Sequence, residues 1–285
     1  TVAYMQGNRL MLSPHIGDLS TSKAMAAHEQ AIAAFTDLYR NSPEQVVHDA
    51  HPDYCSTRIA QAKQIDCLSV QHHYAHALAC MADNRIKAPC FAVVWDGTGY
   101  GDDGRVWGGE FLQITAEGYQ RLLHFLPFPL PGGDAAIREP RRSALGILYT
   151  LQVDPGCLTF PTAMSALLWQ ALQQQINTPQ TSSVGRLFDA VAALLGLCDQ
   201  NQFEGEAAML VEFTAMQSDH KLVYPYHLEQ GMVDWRPMLR AMLNEREKDK
   251  AWMARQFHNT LAAIIVAAAR LQDQHHVLLT GGCFQ

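Results

Sequence analysis

Val70-Gln71-His72-His73-Tyr74-Ala75-His76 holds the residues of this chain whose types and spacing most directly suggest chemistry. His72 and His76 are four positions apart, so on a helix their imidazoles share one face, about one turn apart, and could hold one ion. Such a pair is equally compatible with histidines that cap and line an ordinary helix start. A second group bears on the choice. Asp96-Gly97-Thr98-Gly99 follows the apolar run 91–95. An aspartate at a strand end is placed to hold a cation, and the glycines would let backbone N–H groups approach an anion. The same four residues also suit a tight turn. Two imidazoles and one carboxylate together suit iron, zinc or manganese, with open positions for a substrate oxygen.

Two further stretches could hold an anion. Gly281-Gly282 closes the strand-like run 276–280, and Thr181-Ser182-Ser183-Val184-Gly185 reads as a capped helix entrance leading to Asp189. Each alone is what a cap or turn requires; two glycine turns facing one cleft resemble the nucleotide clamp of actin-like ATPases. Arg138, Arg141 and Arg142 flank Pro140. Their forked donors suit a small phosphorylated or carbamoyl-type group, or else they form a solvated helix start. The seven cysteines include no CxxC pair, which argues against a thiol zinc finger or a disulfide framework and fits a reducing cytoplasm. Their apolar surroundings argue against a catalytic thiol.

The elements that must position these groups follow from periodicity. A hairpin over 1–13 turns at Gly7-Asn8, and a helix runs from an N-cap at 20–22 to about 39. Strand 46–49, helix 57–63, strand 67–70 and the histidine helix to about 84 alternate as in a parallel sheet, with the histidines at a strand C-terminal end. Strand 91–95, a glycine-rich turn over 96–104, strand 106–114 and a third strand over 122–128 form a meander. Helices are expected over 143–151, 162–176, 185–197, 204–216, 235–244 and 251–272, before a final strand at 276–280. The hairpin and the meander suggest two copies of one βββαβα unit. The expected lobes are 1–87 and 88–285, the second carrying a helical insertion over about 140–275.

At 285 residues, 48% of them hydrophobic and 17% charged, the chain can bury a full core and suits two lobes. The net charge of -7 argues against a nucleic-acid-wrapping role. The apolar run 261–269 is too short to span a bilayer. The chain opens in mid-strand and stops at an open glycine turn, so truncation at both ends is expected.

Taken together, SPHIGDL (13–19), HDAHPDYCSTR (48–58), VQHHYAHALACMADN (70–84), DGTGYGDDGRVWGGEF (96–111), LPGGDAAIREPRR (130–142), TSSVGRLFDAVAALLGL (181–197), FEGEAAM (203–209), FHNTLA (257–262) and LLTGGCFQ (278–285) closely resemble the C-terminal part of the HypF family of hydrogenase-maturation carbamoyltransferases. The resemblance covers essentially the whole chain. It implies an α/β, actin-like (ASKHA) two-lobed domain with RNase H-like lobes. It implies transfer of carbamoyl from carbamoyl-adenylate, made with ATP, to the C-terminal cysteine of HypE for the cyanide ligand of [NiFe]-hydrogenase. It implies metal ligands at His72, His76 and Asp96, with a further aspartate beyond residue 285 in the family. The residues read above as anion or carbamoyl contacts place an expected carbamoyl-adenylate site around Arg138, Gly97, Thr98, Gly99, Gly185, Asp189, Gly281 and Gly282, with Arg138 joining His72, His76 and Asp96 as catalytic candidates. Acylphosphatase, zinc-finger and adenylate-forming modules precede this region in the family. The chain is more distantly similar to tRNA threonylcarbamoyl transferases and antibiotic O-carbamoyltransferases, the competing readings alongside an inactive partner-binding fragment. No nucleic acid or membrane partner is expected, and the expected location is the cytoplasm.

Overall fold

The computed structural model describes residues 1–285 except Arg246, and Thr162 only in its backbone. Contacts divide the chain into Thr1–His72 and His73–Gln285.

In the first unit, β1 (Ala3–Gln6) and β2 (Arg9–Leu12) form the expected hairpin. Helix α1 (Ser22–Tyr39) follows, its first turn capped by the Thr21 hydroxyl, which accepts from the Ala24 amide. Tyr4 of β1 stacks on Phe35 and Tyr39 of α1 with centroids 5.5 and 5.4 Å away, which explains the spacing of aromatics along that helix. Next come β3 (Gln45–Asp49), α2 (Cys55–Gln61) and β4 (Asp66–Val70), with β3 and β4 paired in parallel from Gln45↔Asp66 to Asp49↔Val70. The hairpin and the parallel pair are separate two-stranded sheets, so the strands of this unit do not join into one βββαβα sheet.

Helix α3 (His72–Asn84) begins at the first of the three histidines. The sequence placed it in the first lobe, but all of it beyond His72 belongs to the second unit. The reason is burial: Ala77 and Met81 pack with Ala92, Val94, Leu112, Ile114 and Leu278, one face of the large sheet.

That sheet is built on β5 (Cys90–Tyr100), β6 (Val106–Ile114) and β7 (Tyr119–Phe125), an antiparallel meander. The short β8 (Phe128–Pro129) leads into α4 (Ala135–Arg138), α5 (Pro140–Leu151), a 3-10 turn at Pro155–Cys157, α6 (Thr162–Gln174) and the short β9 (Gln180–Thr181). Helices α7 (Val184–Leu194) and α8 (Glu206–Ala215) follow, then a hairpin of β10 (His227–Glu229) and β11 (Met232–Asp234), then α9 (Arg236–Asn244), α10 (Lys250–Leu271) and β12 (Val277–Thr280). The strand order is β10-β11-β7-β6-β5-β12, with β12 parallel to β5 and β11 parallel to β7. The continuous apolar run of β5 is explained by burial on both faces. Phe91, Val93 and Trp95 face the core made with α5, α7 and α10, and Ala92 and Val94 face α3. Burial of Phe91, Val93 and Val94 contributes about 1.5–3 kcal/mol each.

Two expectations are corrected here. The stretch 140–275 is not wholly helical: β10 and β11 add the sheet's outer strands, turning at Gln230-Gly231, both with positive φ, as a two-residue hairpin requires. And the turn expected over 96–104 is shorter: β5 runs on to Tyr100, and the chain reverses over 101–105, where the Gly104 amide donates to the Gly101 carbonyl. Trp95 pairs with Gly109 and Gly99 with Trp107, so four steps along β5 match two along β6, and Asp96-Gly97-Thr98 form a bulge. No helix among the described residues is long and apolar enough to cross a membrane.

Candidate metal centre

His72 is the first residue of α3 and His76 lies one turn on, so the helix alone fixes their spacing. Asp96 is presented by the β5 bulge. A bulge re-aims side chains, and here the Asp96 carboxylate points to His76, with Oδ2 3.2 Å from Nε2. One nitrogen from each histidine and one carboxylate oxygen of Asp96 all lie within 4.8 Å of one another. That donor set, two imidazoles and a carboxylate, fits a divalent zinc, iron or manganese ion.

The glycines meet at Asp96, but not as free anion donors. The amides of Gly97 and Gly282 both donate to Asp96 Oδ1, at 2.8 and 3.2 Å, so this oxygen is held by backbone and Oδ2 is left to face His76. Gly281 brings the second amide there: its φ of 100° is left-handed, and a Cβ would sit 2.2 Å from the Trp95 carbonyl oxygen. On the other side, a Cβ at Gly185 would come 2.7 Å from Gly97 Cα, so the start of α7 lies directly on the bulge backbone. The Ser183 hydroxyl caps α7 by accepting from the Arg186 amide and lies 2.7 Å from the carbonyl oxygens of both Asp96 and Gly97. Thr98 is half-buried within the bulge and Gly99 is a ladder residue of β5.

Asp189 is buried on α7, one turn from Arg186, whose Nη2 is 3.1 Å from its Oδ2 without good hydrogen-bond alignment. Burial pushes its carboxyl up to about 6, although Arg186 acts to lower it. It therefore serves the buried side of α7 rather than an open cleft. Burial likewise raises the Cys283 thiol, with the Asp96 carboxylate adding to the effect. Arg138 is exposed at the end of α4 and is not part of the His72, His76 and Asp96 group; its backbone carbonyl accepts from the Asn201 amide. Arg141 and Arg142 are committed to Glu139, at 2.9 and 3.0 Å, and Arg141 also stacks on Phe160.

Three supporting groups escaped the sequence reading. Arg186 borders the bulge, 3.6 Å from where a Gly97 Cβ would sit. Glu110 of β6 is fully buried; it accepts from the amides of Gly108 and Gly109, from the Ser182 hydroxyl at 2.5 Å and from Arg121 Nε at 2.6 Å. Burial alone would raise its carboxyl, but Arg121 more than offsets this and leaves it below the usual range. Arg121 in turn sits over the Trp107 ring, its guanidinium carbon 3.8 Å from the ring centroid. The third, Asp49 of β3, places Oδ2 2.7 Å from His72 Nδ1. Burial opposes its charge, but hydrogen bonds from His72 and the His51 amide leave its carboxyl below the usual range. Charged residues inside GGEF or within a strand such as QRLL look locally like ordinary strand positions, and only HDAHPDY carried a usable signal.

Comparison with known proteins agrees with this architecture. Residues 1–83 match the family model described as the HypF Kae1-like domain, and residues 92–285 match the carbamoyltransferase, Kae1-like domain, second subdomain. The chain is 38% identical over its whole length to Carbamoyltransferase HypF of Synechocystis, covering 40% of that protein. It is 36% identical over 99% of its length to Carbamoyltransferase HypF of Rhizobium leguminosarum, covering 38%. A Cupriavidus necator protein described as a Carbamoyltransferase HypF homolog is 34% identical, with 98% of this chain and 77% of that protein covered. A full-length HypF crystallised in a phosphate- and nucleotide-bound form superposes with a TM-score of 0.93 at 33% identity, over 99% of this chain and 46% of that one. The chain thus spans about two fifths of the longer curated relatives. With both family models matched in order along its length and a mixed α/β sheet that superposes on HypF, the chain belongs to the HypF carbamoyltransferase family, in the region of its Kae1-like domain.

Proposed function

We propose that this chain is the carbamoyl-transfer domain of a [NiFe]-hydrogenase maturation enzyme, acting in the cytoplasm on carbamoyl-adenylate and the C-terminal cysteine of HypE. The observation that carries this reading is the convergence of His72, His76 and Asp96 on one small volume, with Asp96 fixed by two glycine amides. In the reaction the HypE thiolate forms a bond to the carbamoyl carbon. The bond from that carbon to the adenylate phosphate oxygen breaks, and AMP leaves with the electron pair. A divalent ion, when bound, supplies Lewis acidity and a fixed point for a substrate oxygen.

The chain's own residues supply order. His72 and His76 offer nitrogens one helical turn apart, and Asp96 supplies one oxygen while the other stays anchored to backbone. The glycines at positions 97, 185, 281 and 282 let α7 and the segment after β12 pack closely onto the bulge that presents Asp96, and the adenylate is assigned to the neighbourhood of this backbone. Holding both reactants in register is worth several orders of magnitude in rate. Arg138, exposed at the end of α4, is assigned to the carbamoyl-adenylate. Neighbouring modules of the longer relatives' kind would provide that adenylate.

In full-length enzyme, His76→Ala is expected to leave ATP-dependent adenylate formation intact and to lower carbamoylation of HypE at least 100-fold, read by mass spectrometry of its C-terminal peptide. Unchanged transfer by that variant would overturn the assignment.

A further inference from the structure

We infer that Asp49 is a positioning residue for the metal centre: its carboxylate holds a proton on His72 Nδ1 and so commits Nε2 of that ring to the ion. The inference rests on the metal reading above and extends it to a residue outside the ligand set.

The geometry is specific. Asp49 is the last residue of β3, and its backbone is pinned by the β3–β4 ladder at Asp49↔Val70 and by the Ala50 amide donating to the Val70 carbonyl. The Thr57 hydroxyl of α2 donates to its carbonyl oxygen at 3.0 Å. Within the side chain, Oδ1 accepts from the His51 amide at 2.8 Å and Oδ2 lies 2.7 Å from His72 Nδ1. The carboxylate is thereby aimed at the imidazole by a backbone hydrogen bond on its other oxygen.

An ionised carboxylate only accepts hydrogen bonds. At 2.7 Å the proton between the two groups therefore sits on Nδ1, and a neutral imidazole in that tautomer has its lone pair on Nε2. His76 also faces Asp96 through Nε2, so the two rings offer the same kind of nitrogen. A carboxylate behind a ligating histidine fixes ring rotation and raises the basicity of the ligand nitrogen, and losing it lowers metal affinity about 10- to 100-fold. Both side chains are mostly covered, 25% and 19% exposed for His72 and Asp49, which shields the bond from competition by water.

The test uses the full chain with Zn(II) and Co(II) as probes. Asp49→Ala is expected to weaken Zn(II) binding about 10- to 100-fold in a chelator competition and to shift the visible Co(II) absorption bands. Asp49→Asn keeps an acceptor oxygen and is expected to restore most of the wild-type Co(II) spectrum, a rescue that a purely structural role would not produce. His72→Ala is the control. If it weakens binding while Asp49→Ala matches wild type in affinity and spectrum, the inference about Asp49 fails and the metal assignment stands. If His72→Ala leaves binding unchanged, the metal assignment itself fails.

Discussion

The Ser183 hydroxyl lies 2.7 Å from the carbonyl oxygens of both Asp96 and Gly97, while its oxygen accepts from the Arg186 amide. One side chain thus caps α7 and ties it to the bulge that aims Asp96. Next to it the Ser182 hydroxyl donates to buried Glu110, so consecutive serines join α7 to β5 and to β6. The candidate metal ligand on β5 is held in place largely from the far side of the strand.

Gly185 tests that contact. A methyl group there would lie 2.7 Å from Gly97 Cα and 3.1 Å from the Asp96 carbonyl oxygen, both backbone atoms with little room to retreat. Gly185→Ala is expected to cost about 1–3 kcal/mol in urea unfolding despite the higher helix propensity of alanine. Because relief requires the bulge to move, Zn(II) affinity should fall with it. A neutral or stabilising effect would show that α7 does not bear on the bulge.

Half-buried Arg121 pairs with fully buried Glu110, and removing the arginine leaves the buried carboxylate without its counter-charge. Arg121→Ala is therefore expected to destabilise the protein by about 3–5 kcal/mol at neutral pH. The sign of the pH dependence follows from the carboxyl. In the wild type Glu110 is held below its ordinary value, so its contribution is present above that value and is lost as the pH falls through the folded pKa. In the variant burial acts without Arg121, protonation of Glu110 at low pH relieves the penalty, and the gap between the two proteins should narrow toward acid in thermal melts.

Asp189 should behave oppositely. Its carboxyl is raised from 3.8 to about 6 by burial, so the folded state binds the proton more tightly than the unfolded chain. Its stabilising contribution is complete below about pH 4 and is lost as the pH rises through about 6, at no more than roughly 1.4 kcal/mol per pKa unit. Stability measured relative to Asp189→Asn should fall across that window and level off above it. A flat difference would mean that Arg186 keeps Asp189 ionised throughout.

Local pattern alone specified much of this protein. The i, i+4 spacing of His72 and His76, the Thr21 cap, the alternation of strands and helices over 45–84 and the apolar run of β5 each depend on residues within one or two turns of each other, and the structure keeps them. Asp96 was recognisable as a ligand candidate, and its neighbours as glycine-rich backbone. What the sequence could not convey was that these glycines are spent on Asp96 and on close packing, or that 96–98 form a bulge within a continuing strand. The Gly282 amide that fixes Asp96 Oδ1 lies 186 residues along the chain, and the Arg121 and Ser182 groups that hold Glu110 come from two other elements. Short-range periodicity determines which residues share a helix face or a strand end. Hydrogen-bond partners of a buried carboxylate are set by the meeting of distant segments, so the orientation of Asp96, the burial of Asp189 and the pairing of Asp49 with His72 were decided by the tertiary structure alone.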